Sequence, residues 1–134
     1  MKLRSLFTGS GSNKNTNENS IPWSALDTQE QLDFLQSGDG EDMVVLFKHS
    51  TSCGLSSMML RRFQQLWGHA AADTSFYILD VIRYRDLSNT ISSRYQVMHQ
   101  TPQVLILKGN RLLAHASHSG INELRPEQFK KTPD

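Results

Sequence analysis

The sequence predicts a single α/β domain, in which a mixed four-stranded sheet carries helices on both faces. Short apolar runs rich in β-forming residues alternate with segments whose apolar residues recur every three or four positions. The resulting order is β-α-β-α-β-β-α, which needs helices on both sides of one sheet. Gly109-Asn110 separates the last two β-rich runs and is a typical two-residue hairpin signal.

The first helix is expected to begin at Asp27 or Thr28, because either side chain can cap it and glutamate and glutamine follow at the capping-box spacing. Leu32 and Leu35 lie on one face of this helix and are expected to pack on the sheet. The segment Gly38-Asp39-Gly40 is expected to end it, because glycine favours the left-handed conformation found after helix ends.

The next segments predict a parallel crossover. The run from Met43 to Phe47 is too short for a helix and is expected to be a buried strand. A helical pattern follows Cys53 as far as about Trp67, and Phe76–Val81 is a second β-rich run. A strand, a helix and a strand in this order favour parallel pairing through a right-handed connection.

The second half of the chain supplies the rest of the predicted sheet. Arg85–Tyr95 is expected to be a helix, and Gln103–Leu107 and Arg111–Ala116 are expected to pair as an antiparallel hairpin. A short helix over about Ile121–Phe129 is expected to close the chain. Residues 1–20 are rich in Gly, Ser, Asn and Thr, which predicts a flexible tail before a domain over residues 21–134.

Composition limits the classes of function. The chain has 134 residues with 14 basic and 13 acidic side chains, so no nucleic-acid partner is indicated. No apolar run approaches the roughly 18 residues that span a bilayer, so no membrane association is expected. Cys53 is the one cysteine, which excludes an internal disulfide and any multi-cysteine zinc site. A free thiol fits a reducing compartment, so the predicted location is cytoplasmic.

Cys53 is the candidate nucleophile, because it lies between the end of a predicted strand and the start of a predicted helix. Unpaired N–H groups and the helix dipole favour the thiolate there, and thiols so placed can have pKa values of about 3.5–7.5. Ser50, Thr51 and Ser52 precede it, and one of them is expected to cap the helix; Gly54 follows it. Ser56 in the first turn is expected either to bond the thiolate or to satisfy the backbone.

Cationic side chains next to the thiol are further candidates. Lys48 and His49 end the first buried strand, and strand alternation points them to opposite faces of the sheet. Either cation would favour the thiolate if it lay nearby, and the alternative is a solvated side chain for each. His99, shortly before Pro102, could also face the thiol. His115 and His118 suggest a metal, but two histidines without a third ligand are weak evidence for a metal site, and structural roles are expected for them.

The segment order, with a cysteine at the first strand-to-helix junction, resembles the thioredoxin fold. Thr101-Pro102 stands just before a predicted strand, where a thioredoxin-like protein has a cis-proline facing the reactive cysteine. The resemblance implies that Thr101 offers backbone groups to a substrate disulfide lying against Cys53. Dithiol members have a second cysteine where Ser56 stands, so the expected cycle is monothiol and the resolving thiol must come from another molecule.

Five segments resemble the bacillithiol-system redox family, the monothiol bacilliredoxin-like proteins: Ile21-Pro22-Trp23, Phe47-Lys48-His49-Ser50-Thr51, Tyr84-Arg85-Asp86 with Ser88-Asn89, Thr101-Pro102-Gln103-Val104, and His115-Ala116-Ser117-His118-Ser119. The resemblance implies a thiol–disulfide oxidoreductase that removes bacillithiol from mixed disulfides on proteins. Its partners would be S-thiolated proteins and a low-molecular-weight thiol, with bacillithiol as co-substrate and no bound cofactor or metal. Arg83 or Arg85 is then expected to bind a carboxylate of bacillithiol.

Two alternatives remain. Cys53-Gly54-Leu55-Ser56 also resembles the Cys-Gly-Phe-Ser loop of monothiol glutaredoxins, which implies an iron–sulfur cluster carrier. The Gly-Gly-x-Asp turn of those proteins has no counterpart in the segment from His115 to Gly120. The second alternative is a thioredoxin-like interaction module with an idle thiol, for which ordinary alkylation kinetics would be expected.

Overall fold

The computed structural model of the chain describes residues 20–37 and 42–129. Its sheet contains five strands, and three α-helices pack on the sheet. The strands are β1 (Ser24–Ala25), β2 (Met43–His49), β3 (Thr74–Asp80), β4 (Gln103–Lys108) and β5 (Arg111–Ser117). The helices are α1 (Gln29–Gln36), α2 (Gly54–Trp67) and α3 (Arg85–Tyr95), with 3-10 segments at Gly68–Asp73, His118–Glu123 and Pro126–Phe129.

The strand order is β1-β3-β2-β4-β5, which confirms the predicted α/β class and corrects the predicted strand count from four to five. Strand β2 pairs in parallel with β3 and antiparallel with β4, and β4 pairs antiparallel with β5 across Gly109-Asn110. The additional strand is β1, which pairs in parallel with β3 at the sheet edge. Because it has two residues, both exposed, the sequence contains no alternation that would reveal it.

Alternation along β2 divides the core into two layers. Val44 and Leu46 face α1 and α3, and Val45 and Phe47 face α2 and the C-terminal segments. Both layers are closed to solvent, since all four side chains are less than 10% exposed. The helices therefore lie on both faces of the sheet, as predicted.

Local signals set the helix boundaries correctly in two cases. Helix α1 starts after Thr28, whose hydroxyl accepts a bond from the N–H of Gln31 in a complete capping box. Helix α3 has the predicted bounds. The predicted turn at Gly38-Asp39-Gly40 and residues 1–19 of the predicted tail lie outside the described residues.

The predicted C-terminal helix over Ile121–Phe129 is wrong. Two 3-10 segments, His118–Glu123 and Pro126–Phe129, occupy this region instead. Pro126 lies inside the predicted helix, where its ring removes a backbone donor and clashes with the preceding turn. Ile121 and Leu124 are still buried against α2, so the segment contributes its apolar side chains without a continuous helix. Within the part of the chain that the structure describes, no helix is long and apolar enough to cross a membrane.

Candidate active site

Cys53 is the N-cap residue of α2, four positions after the end of β2. Its backbone is extended, with φ −112° and ψ 120°, and its N–H donates to the carbonyl of Ser50 at 3.2 Å. Its side chain is partly exposed and makes no capping bond to the helix. The residue is therefore partly accessible and lies at the helix end where unpaired N–H groups favour negative charge.

Ser56 closes the loop that presents Cys53. Its side chain is fully buried, its hydroxyl oxygen accepts from the N–H of Ser50 at 3.1 Å, and it lies 2.6 Å from Nδ1 of His49. With the Ser50 N–H as donor, the hydroxyl hydrogen is free to be donated to His49. Of the two roles expected for Ser56, the contacts favour the structural one, because they hold the loop between β2 and α2.

The residues flanking Cys53 do not cap the helix, so that expectation is wrong. Thr51 and Ser52 are exposed, and the Ser52 hydroxyl lies 3.3 Å from that of Ser50. Cys53 itself takes the N-cap position, one residue later than the sequence indicated. Gly54 is exposed, and a Cβ placed there would meet no atom within 4 Å apart from its chain neighbours and the backbone of its own helix. The surface beside the thiol is thus open.

The bond between Thr101 and Pro102 is cis, directly before β4. Pro102 is buried and Thr101 is partly exposed. Gln103, which is 1% exposed, donates from Nε2 to the carbonyl of Met98 at 3.0 Å and to the hydroxyl of Ser117 at 3.1 Å. The sequence did not single out Gln103 as a site residue. The sequence feature that could have indicated its buried contacts is an amide side chain at the start of an otherwise apolar strand.

Lys48 and His49 point to opposite faces, as alternation predicts, but neither is solvated. His49 is 9% exposed on the α2 face, where burial lowers its pKa against the opposing effect of Asp80. The imidazole is therefore neutral at neutral pH and supports the loop through Ser56. Lys48 is fully buried on the α3 face, where burial lowers its pKa from 10.5 to about 8.

A cavity of about 380 Å³ lies beside the loop after β3. This loop and the loop containing Cys53 both follow the carboxyl ends of neighbouring strands and lie at the same end of the sheet. Strands β2 and β3 are parallel, and their last residues, His49 and Asp80, are in register. Arg85 is the exposed first residue of α3, and the Arg83 guanidinium lies 5.6 Å from the Tyr84 ring centroid. The lining residues are Asp27, Gln29, Arg83, Tyr84, Arg85, Asp86 and Leu87.

The histidines near the end of β5 form no metal site with other side chains in the part of the chain that the structure describes. His115 and His118 are exposed, and His118 has a left-handed backbone with φ 54°. The His118 N–H donates to the carbonyl of Pro102 at 2.9 Å, which ties the chain after β5 to the cis-proline loop. Among residues 20–37 and 42–129, no group of three or more His, Cys, Asp or Glu side chains is placed to hold a metal ion.

A family model described as monothiol bacilliredoxin BrxC matches residues 24–125. The chain belongs to the monothiol bacilliredoxin family. The matched region contains every strand and helix from β1 to β5, together with Cys53 and the cis-proline loop. Membership supports a redox function for the domain and confirms the resemblance seen in the sequence.

Solved structures confirm the thioredoxin-like fold. A protein described as having a thioredoxin fold is 24% identical with a TM-score of 0.66, over 82% of this chain and 92% of that chain. Thioredoxin from Trypanosoma brucei brucei is 19% identical with a TM-score of 0.62, over 87% and 95% of the two chains. Spinach chloroplast thioredoxin f is 17% identical with a TM-score of 0.59, over 81% and 83%. These identities establish the fold alone.

Proposed function

We propose that this protein is a monothiol thiol–disulfide oxidoreductase that removes bacillithiol, or a similar small thiol, from mixed disulfides on proteins. The observation that carries the proposal is the partly exposed Cys53 at the start of α2, with a hydroxyl at Ser56 where a dithiol member has its second thiol. Since Cys53 is the one cysteine in the chain, a second molecule must supply the resolving thiol.

The cycle consists of two thiol–disulfide exchanges. The Cys53 thiolate attacks the bacillithiol sulfur of the mixed disulfide, a new S–S bond forms, and the client protein leaves as a thiolate that takes a proton from water. A second bacillithiol thiolate then attacks the bacillithiol sulfur bound to Cys53. This step releases the Cys53 thiolate and bacillithiol disulfide, so the second thiol is the reductant and the client disulfide is the oxidant.

Two neighbouring features are proposed to bind the substrate. Thr101 precedes the buried Pro102 and is partly exposed, so its backbone groups are available to an extended disulfide substrate. Arg85 lines the cavity beside the loop after β3 and can bind a carboxylate of bacillithiol. The proposed partners are S-thiolated proteins and the small thiol itself, in the reducing cytoplasm where a free thiol persists.

Intact mass measurement tests the proposal. The purified protein is incubated with a bacillithiolated model protein and, in parallel, with the same protein glutathionylated, and Cys53→Ser is the control. We expect Cys53 to gain one bacillithiol and the control to gain nothing. Adducts from both substrates would indicate a general monothiol exchanger, and a folded protein without any adduct would contradict the proposal.

The same preparation distinguishes the two alternatives. An iron–sulfur carrier would be brown when purified without oxygen and would contain iron that is lost in Cys53→Ser. An idle thiol would be alkylated at the rate of an ordinary cysteine and would accept no small thiol. The open surface at Gly54 and the partial exposure of Cys53 favour exchange with an incoming disulfide over an idle thiol.

A further inference from the structure

A buried lysine lies beneath the cis-proline loop, and the exchange steps described above do not use it. Lys48 continues the apolar row of Val44 and Leu46 on the α3 face of β2, and its side chain is fully buried. Its Nζ contacts three acceptors: the carbonyl of Ser88 at 3.1 Å, the hydroxyl of Ser92 at 3.0 Å and a ring nitrogen of His99 at 3.4 Å.

These contacts suit an ammonium group. An ammonium has three hydrogens and no lone pair, and here each hydrogen has an acceptor. All three acceptors are uncharged, which explains why burial lowers the pKa of Lys48 to about 8 without an opposing ion pair. Lys48 is consequently still protonated at neutral pH, with its charge held inside the domain.

His99 connects this charge to the cis-proline loop. Its Nδ1 lies 3.4 Å from the Lys48 ammonium, which can only donate, and 3.1 Å from the Ser88 hydroxyl, which can donate or accept. Its Nε2 lies 3.4 Å from the hydroxyl of Thr101. Burial, and then the charges of Lys48 and Arg85, lower the pKa of His99, so the ring is neutral at neutral pH. A neutral ring that accepts at Nδ1 carries its hydrogen on Nε2.

We propose that His99 is a specificity residue that donates from Nε2 to a carboxylate of the small thiol bound beside Thr101, and that Lys48 is the positioning residue that holds His99 in this tautomer. The inference deepens the proposed function and depends on it. His99 is partly exposed next to Thr101, and Arg85 acts electrostatically on the same ring. A positive field and one directed donor thus converge where a thiol carrying carboxylates would lie.

The rate of single-turnover transfer of a small thiol from a model protein to Cys53 tests the roles assigned to His99 and Lys48. One model protein is S-thiolated either with mercaptosuccinate, which carries two carboxylates, or with uncharged mercaptoethanol, and the ratio of the two rate constants measures the preference for the anion. We expect wild type to prefer mercaptosuccinate. His99→Phe and Lys48→Met should each lower the ratio about tenfold, as expected for a lost hydrogen bond to a charged group.

A double-mutant cycle separates positioning from general stability. In His99→Gln the side-chain amide can donate to the carboxylate of the small thiol whether or not Lys48 is present. This variant should therefore keep most of the preference for mercaptosuccinate. Adding Lys48→Met to it should then change the ratio little, whereas a merely structural lysine would lower transfer of both thiols equally in either background. An unchanged ratio in Lys48→Met, with transfer retained, overturns the inference and leaves the proposed function intact.

Imidazole proton–nitrogen correlation spectra of the wild-type protein test the same inference without a substitution. At neutral pH we expect His99 to carry its hydrogen on Nε2, and a hydrogen on Nδ1 would overturn the assignment even if Lys48→Met fails to fold. If wild type accepts neither of these thiols nor bacillithiol on Cys53, the proposed function and this inference fall together.

Discussion

Replacing Lys48 with methionine should change how the free energy of unfolding depends on pH. The side chain is fully buried, and its pKa is lowered from 10.5 to about 8 by burial. Between these two values the unfolded chain binds more protons than the folded chain. The free energy of unfolding of the wild-type protein should therefore rise with pH between about 8 and 10.5. Below about pH 8 both states are protonated, and Lys48 should contribute no further pH dependence.

The expected size follows from the gap between the two pKa values. Each pKa unit corresponds to about 1.4 kcal/mol, so keeping the buried ammonium at neutral pH costs about 3 kcal/mol. From about pH 7 to about pH 9.5 the Lys48 contribution should recover about 2 kcal/mol of stability. Methionine has a similar length and no charge, so the variant should lack this rise.

Urea denaturation followed by tryptophan fluorescence measures the effect at a series of pH values. The series should stop near pH 9.5, because burial raises the pKa of Tyr95 and its ionisation would lower stability at higher pH. Lys108→Met is a matched control, since Lys108 is a partly exposed strand lysine and its loss should preserve the wild-type slope. Parallel curves for wild type and Lys48→Met would refute the reasoning.

Three further substitutions test the site. Ser56→Ala should lower the free energy of unfolding by about 1–3 kcal/mol in urea denaturation, because it leaves the Ser50 N–H unsatisfied in a buried loop; Ser57→Ala, on the same helix turn, should cost less. Gly54→Pro should raise the free energy of unfolding by about 0.4–1 kcal/mol, because Gly54 is the first residue of α2, where proline is tolerated, and Cys53 before it already has an extended backbone; a loss of stability would contradict this. Arg85→Ala should raise KM for a bacillithiolated protein about twofold to fivefold, as expected for an exposed ion pair, whereas Arg111→Ala at the far end of the sheet should not.

Local sequence patterns predicted most of the fold. The continuous apolar run from Met43 to Phe47 and the spacing of apolar residues after Cys53 indicate which segments must be buried, and a chain of this order has few ways to bury them. Strand β1 escaped prediction because two exposed residues have no pattern. The predicted closing helix does not form, because Pro126 interrupts the segment whose apolar residues have helical spacing.

The sequence by itself determined the candidate site: one cysteine between a strand and a helix, with serine where dithiol thioredoxin-like proteins have their second cysteine. Tertiary structure alone decided which charged side chains near the candidate site are buried and which groups they contact. Lys48 appeared to be a solvated residue at a strand end, but α3 and the segment before the cis-proline loop cover it with contacts 40 to 51 positions away in the chain. Burial and partner identity depend on residues distant in sequence, and no local pattern around Lys48 encodes them.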